Sequence, residues 1–142
     1  MCEFFDAICI TESAHSHICT SAHLLYIAFP IMKRYCLACD LKDDAGLIAE
    51  YEQWHRNVWK EIKKSITDAG ISNMEIYRLG NRLFMIMETD DSFGFERKAS
   101  MDAANAVVQE WETLMWKYQQ QLPMAKEGEK WILMQKIFDL HT

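Results

Sequence analysis

From residue 33 onward, apolar and polar positions alternate with a period that changes along the chain, and each change predicts an element. Tyr35, Leu37, Cys39 and Leu41 alternate with Cys36, Ala38 and Asp40, the period of two that marks a β-strand. Asp43 and Asp44 then offer an N-cap and first-turn negative charge for a helix. The period lengthens: Leu47 or Ile48, Tyr51, His55, Val58 or Trp59, Ile62 and Ile66 recur in steps of three and four, predicting one amphipathic helix of about six turns. Gly70 closes it as the residue after the C-cap. Two strands, 73–79 and 82–88, meet across Gly80-Asn81, a connection suited to a tight hairpin. A short helical piece, 93–100, and a longer helix, 102–122, follow, the latter stopped by Pro123. A polar loop with Gly128 leads into a last strand, 131–138.

The order strand, helix, strand, strand, helix, strand predicts an α+β fold of the ferredoxin-like βαββαβ kind, an antiparallel four-stranded sheet with helices on one face. In the third strand Leu83, Met85 and Met87 point one way, Phe84 and Ile86 the other. In the last strand Ile132, Met134 and Phe138 oppose Trp131, Leu133 and Ile137. Both faces are apolar, and two helices cover only one of them. The open face is therefore expected to pack on a symmetry mate, giving a homodimer of the dimeric α/β-barrel type.

Residues 1–32 have a different character, with three His, three Cys and no sustained period. They read as a poorly specified N-terminal extension, and Met32, ahead of Lys33 and a clean strand, as the true start of the domain at 33–142. His15, His17 and His23 suggest a metal, but without a carboxylate or third placed ligand an exposed polar segment is the plainer reading. The longest apolar run, 24–32, is too short to span a bilayer and follows acidic Glu3, Asp6 and Glu12, so neither a membrane span nor a signal peptide is expected.

A chain of 142 residues, half of them apolar, is one domain with enough core to fold without disulfides or metals. Its net charge of −6 has the wrong sign for neutralising phosphates, which argues against a nucleic-acid partner. Five cysteines, an odd number without scaffold spacing, point to reduced thiols and a cytoplasmic protein. Cys36 and Cys39 form a C-x-x-C, but on a strand and without a second ligand pair they read as ordinary buried thiols.

Tyr51, His55 and Trp59 sit at i, i+4 and i+8, so a phenol, an imidazole and an indole share one side of the first helix. One reading is a pocket in which the imidazole moves protons near neutral pH, the phenol bonds a hydroxyl and the indole walls a sugar ring. The other is a core stripe with one satisfied histidine. Trp111, Met115 and Tyr118 repeat the spacing in the second long helix, with Glu112 beside Trp111. Glu52 and Arg56, four apart on another face, read as a solvated ion pair.

The run 34–140 resembles the L-rhamnose mutarotase family in the order and spacing of its pieces: the strand 34–41, Tyr51-x-x-x-His55-x-x-x-Trp59 followed by Glu61-Ile62, Gly70-Ile71-x-Asn73 leading to Ile76-Tyr77, then Leu83-Phe84, Glu88 and Val107-x-Gln109-x-Trp111. The resemblance implies a ferredoxin-like dimer with a pocket on each protomer, no metal or cofactor, and interconversion of the α and β anomers of L-rhamnose or a related 6-deoxy-hexose. By position it makes His55 the acid–base residue and Tyr51 and Trp111 substrate contacts, with Trp59 and Glu112 expected beside them. Met74 stands where the family often has a sugar-contacting tyrosine, Glu112 where some members carry a second tryptophan, and Phe95 where a tryptophan is found in the short helix. These departures change which hydroxyls are read, so L-fucose or another sugar is an alternative substrate. Two readings from other classes are a ferredoxin-like dimeric monooxygenase, which oxygen consumption or a haem band would reveal, and a non-catalytic binding module. Burial of His55 discriminates: a ring open to a cavity shared with Tyr51 and Trp111 favours the enzyme, a sealed ring the module.

Overall fold

The computed structural model describes residues 32–142, so the histidines of the N-terminal extension lie outside the described residues. The alternation from residue 33 forms β1 (Lys33–Leu41). Asp44 caps α1 (Ala45–Arg56), its carboxylate accepting from the Leu47 amide at 2.9 Å. The long apolar stripe is not one helix: it breaks after Arg56 and resumes as α2 (Lys60–Asp68). Asn57, Val58 and Trp59 are weaker helix formers than the residues around them. Five apart on a continuous helix, Trp54 and Trp59 would face different ways. The break lets their rings meet edge to face at 6.3 Å, and Trp59 reaches a second indole, Trp111, at 5.2 Å.

Gly70 follows α2 with φ +91°, and a Cβ there would lie 2.5 Å from Ser92 Oγ, so both conformation and space require glycine. β2 (Ile71–Leu79) and β3 (Arg82–Thr89) form the expected hairpin, with a bulge between Ile71 and Asn73. The second helical region splits into α3 (Phe95–Ala103) and α4 (Ala106–Trp116). Asn105 is the cause, since its side-chain oxygen accepts from the amides of Val107 and Val108 and starts a new helix. α4 also ends six residues before Leu122, because Gln119 and Gln120 leave the helix and pair with β1 as a two-residue strand, β4 (Gln119–Gln120). The predicted last strand shortens to β5 (Ile132–Leu133).

The sheet order is β2-β3-β1-β4, every pair antiparallel, with β5 on β1 as well. The fourth strand of the expected sheet is thus two short pieces on one edge of β1, β4 opposite Asp40–Leu41 and β5 opposite Leu37–Ala38. Residues 121–131 leave this edge and return to it. That loop ties itself together: Gln121 Nε2 donates to the carbonyls of Lys126 and Glu129, and the Lys126 amide to the Glu129 carboxylate. Helices cover one face. Cys39, Leu41 and Leu83 of the sheet pack there with Tyr51, Trp111 and Met115. Cys36 and Cys39 point to opposite faces of β1, which separates the two thiols of the C-x-x-C. Among the described residues no helix is long and apolar enough to cross a membrane.

Candidate active site

Between the helical layer and the β2–β3 half of the sheet lies a cavity of about 750 Å³. Tyr51 and His55 reach it from α1, Trp111 and Glu112 from α4, and Met74 from β2, so five of the six residues singled out in the sequence share one space. The sixth, Trp59, does not line it. The helix break turns Trp59 behind Trp111, where it supports the cavity wall, and Val58 takes the lining position instead.

His55 is half-buried and stacks on Tyr51, with ring centroids 4.1 Å apart, while Trp111 lies edge-on to it at 5.8 Å. Its Nδ1 is 3.0 Å from the Tyr51 carbonyl, one helical turn back. A carbonyl only accepts, so Nδ1 carries the hydrogen and Nε2 holds the free lone pair. Burial lowers the pKa of the ring below its ordinary value of 6.5, and the bond to the Tyr51 carbonyl opposes this. The result is a neutral imidazole at pH 7, able to take a proton at Nε2. Burial pushes the Tyr51 phenol up, so it stays an O–H donor.

Glu112 forms an ion pair with Lys130 at the end of the 121–131 loop. Lys130 also donates to the Glu112 carbonyl at 3.3 Å and lies over the Trp116 ring at 4.9 Å, so the ammonium that pairs with the carboxylate is itself fixed from two further directions. The Glu52–Arg56 pair does not form. Glu52 instead bonds Arg78 of β2 at 2.6 Å, bridging α1 to the sheet, and Arg56 bonds Gln53. Bridging an element to the sheet gives Glu52 a fixed cationic partner, which two mobile side chains on one exposed face lack.

Several lining residues carried no sequence signal. Gln119, almost fully buried on β4, is one of three consecutive glutamines, and only its pairing with Leu41 turns it inward. Met85, Met87 and Met115 supply a soft apolar wall, and their strand and helix spacing is the same as that of any core residue. The far end of the cavity is polar, with Asn73 and the Lys98–Asp102 ion pair.

Residues 34–140 match the family described as L-rhamnose mutarotase. The chain is 46% identical over 111 residues to the L-fucose mutarotase of Xanthomonas campestris pv. campestris, covering 77% of this chain and 89% of that protein. It is 36% identical over 89 residues to the L-rhamnose mutarotase of Phocaeicola vulgatus, covering 61% of this chain and 76% of that one. The fold superposes on the crystal structure of the L-rhamnose mutarotase of Formosa agariphila with a TM-score of 0.57 and 22% identity, over 76% of this chain and 98% of the other.

Proposed function

We propose that this chain, which belongs to the L-rhamnose mutarotase family, is an isomerase that interconverts the α and β anomers of a 6-deoxy-hexose, with His55 as its acid–base group. The observation that carries the assignment of His55 is the cavity it shares with Tyr51 and Trp111, because a histidine sealed in packed side chains could not meet a sugar. L-fucose stands ahead of L-rhamnose as substrate. The relative at 46% identity is named for L-fucose, and Met74 presents a thioether where a phenol would read a hydroxyl.

Opening a pyranose requires the anomeric hydroxyl to lose its proton and the ring oxygen to gain one as the bond from C1 to the ring oxygen breaks. Nε2 of neutral His55 takes the first proton, and the resulting imidazolium returns it to the ring oxygen. The aldehyde then turns about its C1–C2 bond and recloses by the reverse steps. Nothing is oxidised or reduced. The Tyr51 carbonyl bond at Nδ1 fixes the tautomer and stabilises the imidazolium while it exists. Trp111 gives the ring a flat apolar wall, Tyr51 and Glu112 hold hydroxyls, and the methionines suit a 6-methyl group. Positioned proton transfer of this kind is worth about a hundred- to ten-thousand-fold.

Saturation-transfer NMR on the anomeric protons of L-fucose and L-rhamnose tests the reading. His55→Ala should slow exchange by about that hundredfold or more; a variant that exchanges anomers as fast as the parent removes His55 from the mechanism.

The same reading takes the protein as a cytoplasmic homodimer. The sheet face away from the helices carries Cys36, Ala38, Phe84 and Ile86, flanked by Tyr77 and Leu79, which are 55% and 85% exposed. An apolar centre of this kind, bordered by the Arg34–Glu88 and Arg82–Asp40 ion pairs, is a surface that a second copy covers.

A further inference from the structure

The cavity holds a charged pair that the reaction as described does not use. Lys98 and Asp102, four apart on α3, form an ion pair whose side chains are 22% and 25% exposed and line the cavity. The comparable pair on α2, Lys64–Asp68, stands out in solvent at 74% and 47%. Drawing an ion pair out of water adds little stability by itself. Here it turns an ammonium and a carboxylate into a space walled largely by apolar side chains. Among the described residues neither charged group has a further hydrogen-bond partner, so N–H donors on Lys98 and lone pairs on Asp102 stay open. The pair is also held in place, because the Asp102 carbonyl accepts from Gln109 Nε2 of α4 at 2.9 Å.

Its position relative to His55 follows from the sheet. Tyr51 packs in the cluster around Cys39, whereas Phe95, one turn before Lys98 on α3, sets its ring against Tyr35 at 5.0 Å. Tyr35 and Cys39 are four residues apart on β1, about 13 Å. A pyranose, built of bonds of about 1.5 Å, is about 6 Å across, and with a hydrogen bond of about 3 Å on either side it spans that length. Proton transfer fixes its direction, since C1 and the ring oxygen must both face His55. The opposite edge of a six-membered ring is C3–C4, so O3 and O4 point towards α3. We propose that Lys98 and Asp102 are specificity-determining residues: they take O3 and O4 of the sugar, Lys98 as donor and Asp102 as acceptor. This rests on the mutarotase reading for how the sugar lies. O4 is axial in L-fucose and equatorial in L-rhamnose, so a pair fixed in position suits one direction of that hydroxyl and leaves the other misaligned.

Anomer exchange by saturation-transfer NMR and calorimetric binding, both on the full chain, test the proposal. The sugars are L-fucose, 6-deoxy-L-glucose, which differs from it only at C4, and 6-deoxy-L-talose, which differs only at C2. The parent should favour L-fucose over its C4 epimer by about tenfold or more. Lys98→Met should lose most of that preference, and so should the exchanged pair Lys98→Asp with Asp102→Lys, while the preference between C2 epimers stays that of the parent. The exchanged pair keeps an ion pair, so a merely structural bridge would leave the C4 preference intact in it. That result overturns the proposal, as does a parent that treats the C4 epimers alike or a variant that loses both preferences together. If one variant does not fold, the other decides. If neither folds, 4-deoxy-L-fucose decides on the parent: binding about tenfold weaker than L-fucose supports the assignment of O4, and equal binding overturns it. The reaction is read separately. A parent that binds L-fucose over its C4 epimer but exchanges neither sinks the mutarotase reading alone, and a parent that binds none of these sugars sinks both.

Discussion

A half-buried imidazole whose Nδ1 already donates to a backbone carbonyl has one nitrogen left for chemistry, and its surroundings decide at which pH that nitrogen is free. For His55, burial outweighs the carbonyl and lowers the pKa from 6.5, so the neutral ring persists further into acid than that of a free histidine. Anomer exchange should therefore be level above pH 6.5 and fall only below it, and its pH profile measured by NMR should lose this inflection in His55→Ala. An inflection above 6.5 would contradict the burial described. Stability has the same sign: with the folded pKa depressed, the unfolded chain binds the proton first, so His55 takes stability away as pH falls below 6.5 and leaves it unchanged above. That Tyr51 and His55 share one side of α1 was legible in the sequence because helical spacing puts them in line, whereas Trp111, on α4, was singled out by the family resemblance. Gln119 was not, since nothing in a run of three glutamines says which one a two-residue strand turns inward. Trp59 misled for a related reason: its spacing extends the stripe, but its ring finds better packing once the helix has broken.

Element boundaries follow from caps more than from apolar periods. The stripe through Ile62 and Ile66 keeps its phase across the break at residues 57–59, so periodicity alone reads one helix where there are two. Asn105 is the contrary case, a cap signal inside an apolar pattern, and it starts the helix that carries Trp111 and Glu112. Replacing it with alanine removes the acceptor for the amides of Val107 and Val108 and should cost about 1 kcal/mol. In a thermal melt that is a fall of roughly 3–6 °C in Tm, with exchange at 25 °C almost unchanged. An unaltered Tm would mean that packing, not the cap, fixes the start of α4. The hairpin, the helix cap at Asp44 and the glycine after α2 were legible because turn and cap chemistry is local. The divided fourth strand was not, because β4 and β5 exist only by pairing with β1, about eighty residues back in the chain for β4 and about ninety-five for β5.

The whole molecule has one face spent on the cavity and one whose apolar centre lies between the Arg34–Glu88 and Arg82–Asp40 ion pairs. Sedimentation at micromolar concentration should show a dimer, and Phe84→Glu, which places charge in the middle of the open face, should yield a monomer that retains its helical signal. A monomeric parent would mean that this face tolerates water. The fold class was legible at this scale because the order of elements leaves few topologies open, whereas the cavity depends on the gap between the helical layer and the hairpin, which no local pattern records. The loop at 121–131 has a further bearing. It departs from and rejoins a single strand, is knotted by its own side chains, and holds Glu112 through its next-to-last residue. Such a segment can be swapped or lengthened like a replaceable nib: the tip that reaches Glu112 is exchanged while the body of the pen is untouched.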